Sequence, residues 1–150
     1  LQSSLKKVGV ESRVMTAISI NRVAEPYIKN KASHHLSKNR VGIFASGTGN
    51  PFFSTDTAAV LRVSEMTSDI ILKGTKVDGV YDSDPEINKD AKLFDELTFD
   101  EAITKNLKVM DATALTLARD HKLPIKVFNV NQPDALKNII CGKKIGTLIS

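Results

Sequence analysis

Short apolar runs alternate along the chain with longer stretches in which apolar and polar residues mix. Val41–Ser46 is small and apolar and ends at a glycine-rich loop, as buried strands commonly do. Asp69–Gly74 and Leu123–Phe128 have the same character, and the short apolar Thr147–Ile149 lies next to the last residue. We therefore expect at least four short strands.

Helix signals occur between these strands. Thr55–Met66 carries apolar residues at helical spacing, and the hydroxyl of Ser54 or Thr55 can cap its first turn. Thr98 stands three residues before Glu101, which is the pattern of a capping box at the start of a helix. The other predicted helices are Val23–Lys38 with Pro26 in its first turn, a helix that Asp111 can cap and that runs to about Asp120, and a segment from Pro133 to Gly142.

The order of these elements predicts the fold class. Strand, glycine-rich loop, helix and strand between Val41 and Gly74 form a βαβ unit, whose crossover is nearly always right-handed. Alternating strands and helices are typical of an α/β protein with an open, mostly parallel sheet. Because we find no repeat, low-complexity tract or linker, we expect residues 1–150 to form a single domain.

Composition adds few constraints. Hydrophobic residues make up 41% and charged residues 25% of the 150 residues, which is usual for a globular domain. The lone Cys141 excludes an internal disulfide and favours a cytoplasmic protein. We expect no membrane span, because no apolar run is long enough. We also expect no nucleic-acid partner, because the net charge of +4 is modest and no basic stripe is interleaved with aromatic residues.

The loop Gly47–Thr57 carries the strongest candidate chemistry. Gly47 and Gly49 can adopt positive φ and allow a ligand to approach the backbone. The loop is predicted to join the carboxyl end of a strand to the N-terminus of a helix, where α/β proteins bind ligands and where anions are favoured. It is not a Walker A loop, because no Gly-Lys-Ser/Thr follows the glycines.

These residues also fit a purely structural interpretation. An ordinary glycine turn before a capped helix, with Phe52 and Phe53 in the core, also explains the pattern, and the two glycines by themselves favour it over a pocket walled by the two rings. Asp56 suits the first turn of a helix through the helix dipole. It can equally hold Mg²⁺ or orient a lysine beside a phosphate. Local sequence leaves both interpretations open.

A second candidate loop, Thr75–Pro85, is polar and also follows a predicted strand. Tyr81 can stack on a planar base, and Asp84 can accept hydrogen bonds from a ribose or an exocyclic amine. A turn-rich connection with no ligand explains the same Asp, Gly and Pro residues. Asp78, Asp82 and Asp84 do not form an EF-hand, because the required glycine and closing glutamate are missing.

Taken together, four stretches resemble the uridylate kinases of bacteria and plastids, within the amino acid kinase superfamily. They are GTGNPFFSTDTAA, LKGTKVDGVYDSDP, the long stretch from LTFDEAITKNLKVMDATAL to VNQPDALKNIICG, and the closing GTLIS. The resemblance covers essentially the whole chain. It implies a three-layer α/β/α sandwich and transfer of the γ-phosphate of ATP to UMP, with Mg²⁺ accompanying ATP. It also implies a homohexamer with UTP and GTP as effectors.

The resemblance assigns roles to individual residues. Asp56 and Asp111 match acidic positions that arrange the catalytic centre, and Lys73 matches a lysine on the ATP side. No set of metal-ligating residues is implied. The positions that match the ATP-binding residues are Thr75, Tyr81 and Asp84. The positions that match the UMP-binding stretch are Thr48, Gly49, Asn50, Pro51, Phe52, Phe53, Ser54 and Thr55.

One departure from the family pattern matters. The Lys-x-Ser-Gly phosphate loop, the Gly-Gly segment and the arginine and aspartate that follow in that family do not occur here. We therefore expect a C-terminal portion of such a kinase, incomplete at the N-terminus of the fold, with little or no activity alone. Two alternatives remain open: a non-catalytic nucleotide-binding module, and a sister amino acid kinase that acts on a carboxylate or a carbamate.

Overall fold

A computed structural model describes all 150 residues. Its internal contacts divide the chain into two compact units, Leu1–Thr67 and Ser68–Ser150. Each unit has its own sheet and its own buried side chains. Whether residues 1–150 form one domain stays a prediction.

The first unit contains a three-stranded, fully parallel sheet. The strands stand in the order β2-β1-β3, and Met15 of β1 lies opposite Phe44 of β3. Met15, Ala32 and Val60 are completely buried. The elements are α1 (Gln2–Lys7), β1 (Ser12–Thr16), β2 (Glu25–Pro26), α2 (Lys29–Ser37), β3 (Val41–Ala45) and α3 (Thr55–Met66).

The second unit contains a four-stranded sheet in the order β4-β6-β7-β5. Two of its strand pairs are parallel, and the pair of β6 and β7 is antiparallel. Ile125 and Ile149 lie opposite each other across this pair and are completely buried. The elements are β4 (Ile71–Thr75), β5 (Glu96–Leu97), α4 (Phe99–Thr104), α5 (Ala112–Asp120), β6 (Ile125–Asn129), α6 (Ala135–Ile140) and β7 (Thr147–Ile149).

The predicted α/β class with mostly parallel strand pairing is confirmed. So are the helix starts that rest on capping side chains. Ser54 caps α3, Thr98 and Glu101 form a complete capping box on α4, and Asp111 caps α5. None of the helices is both long and apolar enough to cross a membrane.

The predicted helix Val23–Lys38 is wrong over its first third. Glu25 and Pro26 form an edge strand that pairs in parallel with β1, and the Tyr27 amide donates to the Thr16 carbonyl at 2.9 Å. Proline tolerates an edge strand because its missing N–H is not needed there and its fixed φ suits extended backbone. The helix begins only at Lys29.

Other predicted boundaries differ from the observed ones by one or two residues. β4 and β6 each begin two residues later than predicted, at Ile71 and Ile125. Pro133 does not start the last helix, because Asp134 adopts a left-handed conformation and α6 begins at Ala135. β3 is only partly buried, since it is an edge strand of its sheet. The sequence pattern did not predict α1, β1 or the two-residue strand β5.

Candidate functional site

The loop between β3 and α3 depends on unusual backbone conformations. Gly47 and Gly49 have φ of +61° and +78°, as the sequence predicted. At Gly49 a side chain would be crowded, because a Cβ would lie 3.0 Å from the Ala17 carbonyl oxygen. Ser46 and Phe52 also have positive φ, at 68° and 67°. The left-handed region is rare for a bulky residue such as phenylalanine, so this loop stores local strain.

Hydrogen bonds hold the loop in this conformation. The Gly49 amide donates to the Ser46 carbonyl at 3.0 Å, and the Asn50 amide donates to Thr48 Oγ1 at 3.1 Å. The hydroxyls of Ser46 and Thr16 lie 2.8 Å apart, which ties the start of the loop to the end of β1. The loop is therefore preorganised.

The end of the loop is also the start of α3. Ser54 is the N-cap, and its hydroxyl accepts from the Thr57 amide at 3.1 Å. Thr55 is the first residue of the helix, and the half-buried Asp56 lies in its first turn. The positive end of the helix dipole thus faces the segment that the resemblance assigns to UMP.

Two phenylalanines precede this cap. The suggestion that both lie in the core is wrong, because Phe52 is fully exposed and Phe53 is 54% exposed. Two exposed aromatic rings beside a strained loop are unusual for a purely structural turn.

Arg62 of α3 was not identified from the sequence, although it touches this loop. Its side chain is 11% exposed, and Nη1 donates to Glu65 Oε2 at 2.7 Å. Its guanidinium carbon lies 3.7 Å from the centre of the Tyr27 ring. Nη2 donates to the Gly47 carbonyl at 3.5 Å. An arginine inside a helix is ordinarily solvated, so nothing in the local pattern reveals these contacts.

Tyr27 and Glu65 complete this group of interacting side chains. The Tyr27 hydroxyl donates to Glu65 Oε2, and its ring meets Phe44 edge-on at 5.5 Å. Burial and the neighbouring Glu65 carboxylate raise the pKa of Tyr27 to about 12. Burial opposes ionisation of Glu65, but hydrogen bonds from Tyr27 and Arg62 outweigh it and lower its pKa. The carboxylate is therefore ionised between two donors.

The second unit carries the other candidate loop, which begins at the end of β4. Thr75 is the last residue of β4, and its hydroxyl donates to the Val77 carbonyl at 2.7 Å. Asp78 Oδ1 accepts from Asn129 at 2.9 Å and from Gln132 at 2.8 Å. The loop is thus fastened to the residues that end and follow β6.

Tyr81 and Asp84 line one cavity of about 510 Å³ in this unit. Thr75 does not line it, although Val77, two residues further on, does. Asp84 also has a structural role, because its carboxylate accepts from the Glu86 amide at 3.0 Å. The turn interpretation and the cavity interpretation of this loop both describe real features.

Four residues that follow α4, Lys105, Asn106, Leu107 and Lys108, line the same cavity and were not singled out from the sequence. Lys105 and Lys108 thereby add two cations to the lining of this cavity. Lys105 Nζ lies 5.3 Å from the centre of the Phe94 ring, within cation–π distance. Lysines at a helix end are usually solvated, so only the folded chain reveals this grouping.

Asp111 does not line this cavity. It is half-buried at the start of α5, and its carboxylate accepts from the Ala114 amide at 2.8 Å. Lys73 lies within β4 and is also half-buried. Residues 46–56, which include the loop and Asp56, belong to the first unit. The second unit contains the remaining candidate residues Thr75, Tyr81, Asp84 and Asp111.

Comparison with known proteins gives a consistent result. The model of the amino acid kinase family matches residues 1–129. Among solved structures, a UMP kinase from Bacillus anthracis is 46% identical with a TM-score of 0.93 over 97% of this chain. A UMP kinase from Ureaplasma parvum is 40% identical with a TM-score of 0.93 over 99% of this chain. A uridylate kinase from Archaeoglobus fulgidus is 26% identical with a TM-score of 0.67 over 83% of this chain.

The chain spans 60%, 64% and 59% of the length of these three proteins, respectively. The high TM-scores confirm the amino acid kinase-like fold that the resemblance implied. The match to the family model covers most of the chain, well over half of it. On these grounds the chain belongs to the amino acid kinase family.

Proposed function

We propose that this chain supplies nucleotide-binding parts of a UMP kinase, which transfers the γ-phosphate of ATP to UMP and yields UDP and ADP. The observation that carries the proposal is the strained, hydrogen-bonded loop from Ser46 to Phe53 at the positive end of α3. Similarity to UMP kinases at 46% and 40% identity supports the choice of acceptor. The enzyme would be a nucleoside monophosphate kinase of pyrimidine nucleotide biosynthesis.

In this proposal the loop binds UMP. Residues 48–55 present backbone amides and hydroxyls to the phosphate, and the dipole of α3 favours its negative charge. The exposed Phe52 and Phe53 offer apolar surface to the uracil and ribose. Strain at Phe52 costs of order 1–3 kcal/mol and persists where the surrounding structure enforces it, as is common at ligand sites.

The cavity of the second unit would bind ATP. Its volume of about 510 Å³ suits a nucleotide base with its ribose. Tyr81 offers a ring for stacking, and the Asp84 carboxylate keeps one oxygen for a ribose hydroxyl while the other caps the turn. Lys105 and Lys108 add positive charge that favours the triphosphate. Thr75 would act by ordering the start of the loop.

Phosphoryl transfer depends chiefly on positioning and on neutralising charge. Asp56 and Asp111 would arrange the reacting groups, each from the first turn or cap of a helix. Mg²⁺ would enter as part of the MgATP substrate, because it usually binds substrate phosphates with only one or two carboxylates. When bound, it would draw charge from the β- and γ-phosphates.

The proposal predicts the effect of two conservative substitutions. Asp56→Asn and Asp111→Asn keep a good helix cap or first-turn residue but remove the charge. Each should lower turnover at least about tenfold, or 1.4 kcal/mol of barrier. Production of UDP from ATP and UMP is to be measured in the chain joined to any coding sequence that precedes Leu1, because we expect little or no activity of this chain alone. Unchanged turnover in both variants would remove the catalytic assignment.

The alternatives call for different acceptors. A panel of UMP, CMP, acetylglutamate, aspartate and carbamate would distinguish the UMP branch from a sister kinase. Preference for a carboxylate or carbamate would overturn the proposed substrate. Nucleotide binding without any transfer in the extended chain would favour the non-catalytic module.

Assembly and location complete the proposal. Ile18, Ile20, Val23 and Ile28 are apolar and exposed, which supports a contact between copies of the chain. We propose a homohexamer whose activity responds to UTP and GTP, in the cytoplasm, where the exposed Cys141 stays reduced. Sedimentation with and without each nucleotide tests the assembly.

A further inference from the structure

The loop between β3 and α3, residues 46 to 54, is called the acceptor loop because we propose that it binds the acceptor UMP. The Gly47 carbonyl lies where the backbone of this loop adopts the left-handed conformation. Ser46 and Gly47 both have positive φ there, so the direction of the following residues depends on how this peptide group is held. The side chain of Arg62 donates to that carbonyl through Nη2, at 3.5 Å. Arg62 belongs to the third turn of α3, whose first turn receives the loop.

The guanidinium has little freedom to lie elsewhere. Glu65 holds Nη1 at 2.7 Å, and the Tyr27 ring covers its face at 3.7 Å. The Tyr27 hydroxyl donates to the same Glu65 oxygen, so the three side chains constrain one another. A planar guanidinium fixed on one edge and one face presents its remaining N–H groups in a set direction.

A lysine cannot reproduce this arrangement. Its single ammonium can replace the ion pair with Glu65, but it has no second nitrogen that reaches the Gly47 carbonyl from a stacked plane. The contact with Gly47 is therefore separable from the charge pair within the helix. This distinction permits an experiment that divides a positioning role from a structural one.

We infer that Arg62 is a positioning residue that holds the Gly47 peptide, and through it the loop from Gly47 to Pro51, in the conformation that receives the acceptor nucleotide. The inference rests on the proposed function for its ligand. The anchoring of the loop by Arg62 can be tested without any ligand. A loop fixed in advance binds without paying to order its backbone, so loss of the anchor weakens binding.

The test compares Arg62→Lys and Arg62→Met with wild type and with Arg22→Lys. Arg22 is an exposed arginine of the same unit and serves as the matched control. Backbone ¹⁵N order parameters at Gly47, Thr48 and Gly49 are measured first. We expect them to fall from about 0.85 towards about 0.6 in both Arg62 variants and to stay unchanged in the control.

Thermal unfolding separates positioning from stability. Arg62→Lys should keep the Tm of wild type within about 2 °C, because its charge pair with Glu65 survives, yet it should still loosen the loop. If Arg62 only stabilised the fold, the acceptor loop of Arg62→Lys would stay as ordered as that of wild type, because this variant keeps the Tm of wild type. Unchanged order parameters in Arg62→Lys would overturn the inference, even if Arg62→Met fails to fold.

Titration with UMP then tests the functional consequence. The Kd of Arg62→Lys should rise at least about fivefold over wild type, with no change in Arg22→Lys. If wild type binds no UMP, the proposed function of the loop fails, while the order parameters still decide whether Arg62 anchors the loop. If wild type binds and Arg62→Lys binds equally well, the positioning role is contradicted.

Discussion

At the scale of single residues, two glycines of the acceptor loop have different reasons to be glycine. Gly47 has positive φ but open space around the position of a Cβ. Gly49 has positive φ and would place a Cβ 3.0 Å from the Ala17 carbonyl oxygen and 3.2 Å from Ala17 Cβ. The first position therefore needs only backbone freedom, whereas the second also needs the missing side chain.

This difference predicts the outcome of a matched pair of substitutions. Gly47→Ala should cost about 1 kcal/mol of unfolding free energy, the strain of a left-handed alanine. Gly49→Ala should cost about 1–3 kcal/mol more, because the new methyl group crowds the backbone at Ala17. Urea unfolding of both variants measures the difference. Equal losses would show that the loop relaxes around Gly49.

The group of Tyr27, Glu65 and Arg62 makes stability depend on pH at both extremes. The folded pKa of Tyr27 is about 12, above the value near 10 of an unfolded tyrosine. The stability that Tyr27 contributes to the folded state is therefore fully present below about pH 10 and declines as the pH rises towards 12. The pKa of Glu65 is lowered in the folded state. The stability that Glu65 contributes is therefore present above its pKa in the unfolded chain and is lost as the pH falls through its pKa in the folded protein.

Tyr27→Phe isolates the alkaline part of this dependence. The Tm of wild type should exceed that of the variant at neutral pH, and the gap should narrow by at least half between about pH 9 and about pH 12. The reason is that only wild type loses a favourable neutral phenol over this interval. Thermal scans across the interval measure the gap, and Tyr81→Phe serves as a control for a general tyrosine effect. A constant gap would refute the coupling.

At the scale of elements, the starts of helices could be predicted from the sequence where a side chain caps the helix. Ser54, Thr98 and Asp111 each accept a hydrogen bond from an amide three residues later, so each caps the helix start for which the sequence proposed it. A helix cap involves only residues that are close in sequence, so its formation depends little on the rest of the fold. The helix predicted from Val23 was wrong at Glu25 and Pro26 for the opposite reason. Their extended form depends on pairing with β1, which is distant in sequence, and local helix propensity does not reflect such pairing.

The capping box of α4 gives a prediction at this scale. The Thr98 hydroxyl accepts from the Glu101 amide at 3.1 Å, and the Glu101 carboxylate accepts from the Thr98 amide at 2.9 Å. Thr98→Ala should lower the free energy of unfolding by about 1 kcal/mol, whereas Thr98→Ser should change it little. Chemical unfolding measures both. An alanine variant as stable as the serine variant would mean that α4 needs no cap.

The candidate site was predictable from the sequence only in part. The glycines, the cap and Asp56 form one continuous stretch, and the structure places them where the pattern did. Arg62 and Lys105 reach their sites from a later helix turn and from the end of another helix. Their surroundings are assembled by tertiary packing, and no local spacing encodes them.

At the scale of the whole molecule, two compact units carry complementary candidate roles. The first carries the loop proposed for UMP, and the second carries the cavity proposed for ATP. The residues of each candidate site belong to a single unit. The chain spans about three fifths of the length of the UMP kinases it resembles, so the activity of the whole enzyme remains a proposal.

We propose that the loop from Gly47 to Thr55 recognises UMP, and calorimetric titration of this chain tests this proposal most directly. CMP is the control, because it differs from UMP only on the edge of the base and carries the same phosphate. We predict binding of UMP at least about tenfold tighter than that of CMP, or 1.4 kcal/mol. A chain that is folded by circular dichroism yet binds neither nucleotide, or binds both equally, would contradict the claim.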